Sequence, residues 1–246
     1  MRALYLKEIR SFLSSIIGYV FILIYLIASG VFHWLGSGST NLLSGTEADL
    51  IPFFNASPFI LMFLIPAITM RSFAEERRTG TIELLFTHPI GDVQIVLAKF
   101  FACTTLLIIA LLPTLIYYYS MYSLALNPET FDHGATITSY IGLVLLSAAF
   151  TAIGIFASAI TSSQIVSFII ALFICWIIVP WLGGIALLGS FNLMGSYDSI
   201  VQYFGVGYHY EAIQKGVIDV KNIIYFLSVI VLFVFAALTV IKSLKK

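Results

Sequence analysis

The residues best suited to chemistry or recognition form one charged segment between two long apolar stretches. This segment, called the island below, runs from Arg71 to Lys99 and reads RSFAEERRTGTIELLFTHPIGDVQIVLAK. It holds eight of the 24 formally charged side chains of the chain. Apolar residues rimmed by charge are typical of a surface that docks another protein. The island is therefore the best candidate for a functional site.

Signatures of catalysis and of metal binding are missing from the sequence. It has no G-x-x-x-x-G-K-[ST], no G-x-S-x-G, no H-E-x-x-H and no G-x-G-x-x-G motif. None of the four histidines has a Cys, Asp, Glu or His at a ligand spacing on a shared helix face. Cys103 and Cys175 lie in apolar stretches, where a cysteine usually serves as a small buried residue. We expect no catalysis, no metal and no cofactor bound by this chain.

The composition around the island is that of an integral membrane protein. Hydrophobic residues make up 60% of the chain and charged residues 10%, which excludes an ordinary water-soluble surface. Charge-free runs mark the spans, because a charged side chain costs about 2.5–3.5 kcal/mol at the centre of an inserted helix. The sequence predicts one all-α membrane domain over residues 1–246. Its six transmembrane helices cover about 15–35, 52–72, 98–122, 137–160, 164–188 and 222–242.

The basic residues are unevenly divided between the two sets of loops that six crossings create. Ten of the 12 Lys and Arg side chains lie at the termini or in the island, and only Lys215 and Lys221 lie in the other set. Loops rich in Lys and Arg stay in the cytoplasm. The sequence therefore predicts that both termini and the island are cytoplasmic.

An amphipathic helix over residues 2–13 is predicted ahead of the first span. Apolar residues are interleaved there with charged ones: Leu4, Leu6, Ile9, Phe12 and Leu13 with Arg2, Lys7, Glu8 and Arg10. Such a helix suits the surface of the inner leaflet. An unstructured basic tail is the alternative.

The island predicts a helical elbow. Its first part, Arg71 to Arg78, continues the second span as a polar helix, and Gly80 marks the end of that helix. The sequence Thr79-Gly80-Thr81 combines a C-cap with the N-cap of a new helix.

A second, short helix is predicted from Ile82 to Phe86. Glu83 lies in its first turn, where the helix dipole favours an acid, and His88-Pro89 ends it. Its apolar residues are expected to face the cytoplasm as a docking surface: Ile82, Leu84, Leu85 and Phe86.

The island resembles the first cytoplasmic loop of ABC-2 type transporter permeases. The resemblance rests on the string E-E-R-R-x-G-T-I-E-L-L-x-T-H-P-I followed by a lysine at the head of the next helix. It extends to the amphipathic start, the six spans and the segment from His209 to Asp219. Within that family the chain is most similar to permease subunits associated with bacterial gliding motility, which are related to permeases of nitrous-oxide-reductase maturation.

The resemblance implies that the island is a coupling loop, residues 71–99, that docks on a separate ATPase subunit. The residues implied in that contact are Glu75, Glu76, Gly80, Thr81, Glu83, Leu84 and Pro89. From charge alone, Glu75 and Glu76 also fit a solvated helix face partly neutralised by Arg77 and Arg78.

The resemblance also implies the partners and the location. ATP and Mg²⁺ are expected on the cytoplasmic ABC ATPase subunits. Further expected partners are a second permease chain in a homo- or heterodimer, a periplasmic or substrate-binding-like subunit and the lipid membrane, but no nucleic acid. The location implied is the bacterial inner membrane. The function implied is the permease subunit of an ATP-driven exporter that serves gliding motility or cell-surface export. The alternative is a non-transporting subunit that passes ATPase motion to a periplasmic partner.

Two other segments carry expectations about packing. Small residues on the fourth span, Ala148, Ala152, Gly154 and Ser158, predict close approach to a neighbouring helix of the same chain. The outer segment from Gly189 to Lys221 is too apolar for a free loop and predicts a re-entrant element.

Overall fold

The computed structural model describes residues 1–36, 41–43, 49–87, 90–125, 131–178, 205–217 and 219–245, without the side chain of Leu84. Every regular element within these ranges is a helix. The α-helices are α1 Arg2–Ser14, α2 Ile16–Gly30, α3 Ile51–Thr69, α4 Arg71–Arg78, α5 Ile82–Thr87, α6 Asp92–Leu111, α7 Leu115–Leu124, α8 His133–Ile160, α9 Gln164–Trp176, α10 Val206–Gln214 and α11 Val220–Leu244. A π-helical turn, Val31–Leu35, extends α2, and a 3₁₀ turn, Leu112–Thr114, joins α6 to α7 at Pro113.

Five helical stretches within the described ranges are long and apolar enough to cross a membrane. They are Ile16–Leu35, Ile51–Arg78, Asp92–Leu124, His133–Ile160 and Val220–Leu244. They match five of the six predicted spans. The remaining span was predicted over 164–188, of which the structure describes the 13-residue helix α9 and two further residues. Since residues 179–204 lie outside the described part, six crossings remain a prediction.

Helix α8 forms the centre of the bundle. Within its most apolar stretch 78% of the residues are buried, against 28% for α2 and 17% for α11. Gly154 allows this close packing, because a Cβ atom added there would lie 2.0 Å from Thr69 Oγ1 of α3. The predicted close approach of the fourth span to a helix of the same chain is therefore confirmed at Gly154.

The two ends of the bundle are built from different segments. At one end, called the island end, α1 and α4 meet the start of α6 through Lys99, and Lys245 of α11 reaches Asp92 of α6. At the opposite end, α10 folds back onto the bundle, where the Tyr210 hydroxyl donates to Phe54 O at 2.8 Å. The predicted re-entrant segment is thus described only from residue 205 onward, where it forms a packed helix.

Candidate functional site

Helix α4 is attached to the central helix through one serine. Ser158 Oγ accepts hydrogen bonds from the backbone N–H groups of Phe73 (2.8 Å) and Ala74 (3.0 Å), and it donates to Met70 O (3.1 Å). These are backbone groups at the junction between α3 and α4, where α-helical hydrogen bonding is interrupted. The Arg77 guanidinium adds a hydrogen bond to Ala159 O. The helix that opens the island is therefore fixed to the end of α8.

Gly80 ends α4 in the conformation that the sequence predicts. Its φ is +73°, a left-handed value that glycine adopts at little cost. No atom lies within 4 Å of a Cβ added there, so the requirement is conformational and not steric. Thr79 N donates to Glu75 O at 2.9 Å, and the Thr79 hydroxyl donates to the same carbonyl at 2.9 Å. Together these bonds cap the end of α4.

Thr81 starts the next helix differently from the predicted N-cap. Its backbone carbonyl accepts from Leu85 N at 3.3 Å, as the first hydrogen bond of α5 requires. Its hydroxyl is turned back toward α4, 2.9 Å from the Thr79 hydroxyl and 3.5 Å from Glu76 O. The hydroxyl thus closes the turn between the two helices.

The predicted apolar docking surface of α5 is wrong for two of its residues. Ile82 and Leu85 are 9% and 8% exposed and pack with Leu4, Phe73 and Ile95 in a core cluster. Ile82 and Leu85 fill the space between α1, α4 and α6. The bundle itself therefore removes these apolar side chains from water, as a docked partner would. Leu84 lies in α5 with its side chain undescribed, and His88 and Pro89 lie outside the described residues.

Among the side chains that the structure describes from Arg78 to Thr87, the exposed ones are polar. The exposed residues of this stretch are called the elbow tip below: Arg78, Thr79, Gly80, Thr81, Glu83 and Thr87. Three of the predicted site residues, Gly80, Thr81 and Glu83, belong to it. Glu75 and Glu76 lie behind the tip and bond to other residues of the chain.

Lys99 forms a buried ion-pair network that the sequence did not predict. Its side chain is 2% exposed, and Nζ lies 2.8 Å from Glu76 Oε1 and 3.3 Å from Glu8 Oε1. Nζ also lies 5.1 Å from the centre of the Phe73 ring. The network joins α1, α4 and α6. A buried ammonium needs such partners, because desolvation of an unpaired charge is costly.

Glu75 and Glu76 therefore have separate roles in the structure. Glu75 accepts two hydrogen bonds from the Arg71 guanidinium, at 2.8 Å from Nε and 3.0 Å from Nη2. These bonds hold the pKa of the Glu75 carboxyl below its ordinary value, since they stabilise the charged form. Glu76 bonds Lys99 through one oxygen, and its Oε2 is buried with no hydrogen-bond partner among the described residues.

The island offered a signal that sequence reasoning missed. Lys99 is followed by the apolar residues of the third span, and the acids Glu8 and Glu76 stand in two other segments next to the membrane. A lysine at that depth requires a carboxylate partner. The partners themselves are 91 and 23 residues away in sequence, so only the fold identifies them.

A cavity of about 610 Å³ opens at the opposite end of the bundle. It lies between the first turn of α3, the start of α8 and the end of α10, with Phe54, Asn55 and Gln214 among its lining residues. Gln214 Nε2 donates to Asn55 Oδ1 at 2.8 Å. The charged residues at its edge are Asp49, Asp132, Glu211 and Lys215. Most of its acids have structural roles, since Asp132 caps α8 at Ala135 N and Asp49 accepts from Ile51 N.

No group of three or more His, Cys, Asp or Glu side chains that could hold a metal ion occurs in the part of the chain that the structure describes. Cys103 and Cys175 are both buried free thiols, and neither forms a disulfide bond.

Comparison with known sequences gives one family. The model of the family described as ABC-2 family transporter protein matches residues 3–245. No curated protein matches the chain significantly. The match covers the island, the central helix and both ends of the bundle.

Proposed function

The chain belongs to the ABC-2 family of transporter proteins, and from that premise we propose that it is the permease subunit of an ATP-driven exporter. A separate ATPase subunit binds and hydrolyses ATP with Mg²⁺. The chain works beside a second permease chain, identical or related. Gliding motility or cell-surface export is the process that the island sequence favours, through its resemblance to permeases of that kind.

One observation carries the coupling part of this proposal. The elbow tip is exposed, while the helix directly behind it is fixed to α8 by Ser158 and Arg77. A force applied to the tip by a partner reaches the central helix through hydrogen bonds without first deforming a loop. A rigid exposed elbow is the structural requirement for a coupling loop.

The distribution of charge supports a cytoplasmic position for the elbow. In the sequence, ten of the 12 Lys and Arg side chains lie at the termini or in the island, and loops with this excess remain in the cytoplasm. An ATPase in the cytoplasm of a bacterium would then meet the elbow tip at the face of the inner membrane. Both termini lie on the same side in this arrangement.

Exposure supports a smaller set of residues for direct docking. Gly80, Thr81 and Glu83 contact the ATPase directly in this proposal, together with Arg78. Glu75 and Glu76 act behind the surface, by holding Arg71 and Lys99. Leu84 and Pro89 remain proposed contacts on the strength of the family resemblance alone.

The test is retention of the ATPase during purification in mild detergent. Every chain that co-purifies is identified, and we expect a soluble chain with a phosphate-binding loop. Glu83→Lys reverses a charge in the proposed contact, so we expect a loss of affinity of more than tenfold, equivalent to about 2 kcal/mol. Glu211→Lys, an equally exposed glutamate at the opposite end, serves as the matched control.

Two results would contradict the proposal. One is normal retention of the ATPase by Glu83→Lys and by Arg78→Glu in membrane-inserted protein. The other is saturable ATP binding to the isolated chain, since it contains no phosphate-binding loop.

A further inference from the structure

Four polar side chains lie buried between α2 and α3, in the half of the bundle near the opposite end. Tyr25, Ser29 and His33 follow one another at a spacing of four residues, which places them on one face of α2 and its π-helical turn. Ser57 lies on α3. All four are 0% exposed. They are called the polar row below.

The polar row contains polar atoms without hydrogen-bond partners. Tyr25 Oη, Ser29 Oγ, Ser57 Oγ and His33 Nε2 have none among the described residues. The Tyr25 and Ser57 hydroxyls face each other closely enough to interact, but they do not meet the geometry of a full hydrogen bond. His33 Nδ1 lies 2.5 Å from Ser29 O and carries the proton there, because a carbonyl only accepts. The Pro52 carbonyl also faces the His33 ring, although Nε2 makes no full hydrogen bond.

Several other buried hydroxyls of the bundle are satisfied by their own helix. Ser147 donates to Leu143 O at 2.6 Å, Thr151 to Ser147 O at 2.8 Å and Thr69 to Ile65 O at 2.8 Å. This bond to the preceding turn is the usual solution for a hydroxyl in a membrane helix. Ser29 and Ser57 depart from it, as does Ser167 of α9. Leaving such groups unpaired in an apolar interior is unfavourable, so their presence points to a second conformation in which they have partners.

Helix α2 is placed so that it can move away from α3. It lies at the edge of the bundle, and residues such as Tyr19, Leu23 and Ile27 on its other side are 56–60% exposed. Its first residue follows Ser15, whose extended backbone (φ −95°, ψ 147°) separates α2 from α1. A small rotation at Ser15 would open the α2–α3 contact toward the opposite end.

We propose that the polar row lines the outer half of the path that the transported molecule takes. This inference rests on the proposed function of the chain as an exporter. In the closed conformation described here, α2 covers the row. When α2 separates from α3, the three hydroxyls become available to a ligand.

The row indicates the chemical class of the ligand. Hydroxyl groups can donate and accept, so the row suits hydroxyl or amide groups. The sequence contains no Asp, Glu, Lys or Arg from residue 11 to 46 or from residue 50 to 70, so a fixed charge would find no counter-charge there. Aromatic rings flank the row, with Phe53 packed edge-on against His33 at 5.2 Å. The geometry suits an amphipathic molecule with uncharged polar groups.

The first test needs only this chain in detergent. Tyr25→Phe, Ser29→Ala and Ser57→Ala each remove an unpartnered group, so we expect an apparent melting temperature that is unchanged or raised by about 1–5 °C. Ser147→Ala is the matched control, because it removes a hydroxyl that is bonded, and it is expected to lower the melting temperature. A decrease in all three row variants would overturn the proposal, since the groups would then be paired in the closed state.

The second test measures access in the assembled complex. Cys103 and Cys175 are first replaced by alanine, and single cysteines are introduced as Ser29→Cys, Ser57→Cys and the buried control Ser147→Cys. A membrane-impermeant thiol reagent is added from the side of Lys215, with Lys215→Cys showing that the reagent arrives. We expect labelling of the two row positions to be at least about fivefold faster during ATP hydrolysis than at rest, and no change at Ser147→Cys.

The outcomes separate this inference from the proposed function. If the complex hydrolyses ATP and both row positions remain as protected as Ser147→Cys, the path does not pass between α2 and α3 and the inference is wrong. If no ATPase associates with the chain, the proposed function fails, and the exporter path that rests on it falls with it. The melting temperatures still decide whether the row groups are unpaired.

Discussion

The island end and the α2–α3 interface both bury polar groups among apolar ones, but they satisfy them differently. At the island end, Lys99 has two carboxylate partners and Ser158 makes three hydrogen bonds. Between α2 and α3, four polar atoms have no partner in the described part of the chain. Outside that interface, the unpartnered buried side-chain atoms of the described residues are Glu76 Oε2 at the island end and Ser167 Oγ near the start of α9.

The difference indicates which contact stays closed and which one opens. Breaking the contacts of Ser158 or Lys99 would expose groups that are already well bonded, so separation there is costly. Separating α2 from α3 gives unpaired groups new partners, which offsets part of the lost apolar contact. The same chain would thus combine a rigid coupling end with an interface poised to open.

The largest effect is expected from Lys99→Met, which leaves Glu76 without its cation and Glu8 with only the exposed Lys7, whose Nζ lies 3.7 Å away. Removing one partner of a buried pair costs about 3–5 kcal/mol in the free energy of unfolding. Because both glutamates are partly exposed, we expect a loss at the lower end, about 3 kcal/mol. Thermal unfolding in detergent measures it. Lys245→Met is the control, because its pair with Asp92 at 3.3 Å is half exposed and is worth less than about 1 kcal/mol.

A triple variant sharpens this prediction. Lys99→Met combined with Glu8→Gln and Glu76→Gln removes all three charges, so we expect it to recover much of the lost stability. Equal stability of Lys99→Met and the parent protein would show that the island end is not held by this network.

Ser158→Ala is expected to have the next largest effect. It leaves the N–H groups of Phe73 and Ala74 buried without an acceptor, at a cost of about 2 kcal/mol. Ser147→Ala, which removes one hydroxyl bond on the same helix, should cost about 1 kcal/mol or less. Equal losses for the two variants in a denaturation series would mean that α4 is not fixed to α8 by Ser158.

Gly80→Ala tests the smallest of the three effects. A left-handed φ costs a residue with a Cβ about 1–2 kcal/mol. Gly91→Ala is the control, because Gly91 has a φ of −68° and room for a Cβ, and it should be nearly neutral. If the two variants lose stability equally, the turn at Gly80 is not the conformation that the protein uses.

The sequence predicts local features of the island well. The helix ahead of the first span was predicted over 2–13 and is observed over Arg2–Ser14. Gly80 was predicted to end the first island helix and does so with a positive φ. Both depend on side-chain periodicity and on backbone preference within a few residues, which a single sequence records directly.

Contacts between distant segments are where prediction fails. The apolar residues Ile82 and Leu85 look the same in sequence whether they face a partner or their own bundle, and here they face the bundle. Ser158 was noted only as a small residue, although it bonds backbone groups 84 and 85 residues away. The polar row was likewise missed, although the spacing of Tyr25, Ser29 and His33 gave a signal on α2.

Distances measured by pulsed electron paramagnetic resonance test the contrast between the two regions most directly. One spin-label pair, Arg71→Cys with Ile160→Cys, reports on α4 and α8, and another, Ile27→Cys with Ile51→Cys, reports on α2 and α3. Arg71 is partly exposed and lies outside the elbow tip, and the other three native side chains are exposed. In the ATPase complex, we expect the second distance to change by about 5 Å between the resting and vanadate-trapped states, and the first by no more than about 2 Å. A constant α2–α3 distance with a moving elbow would contradict the account.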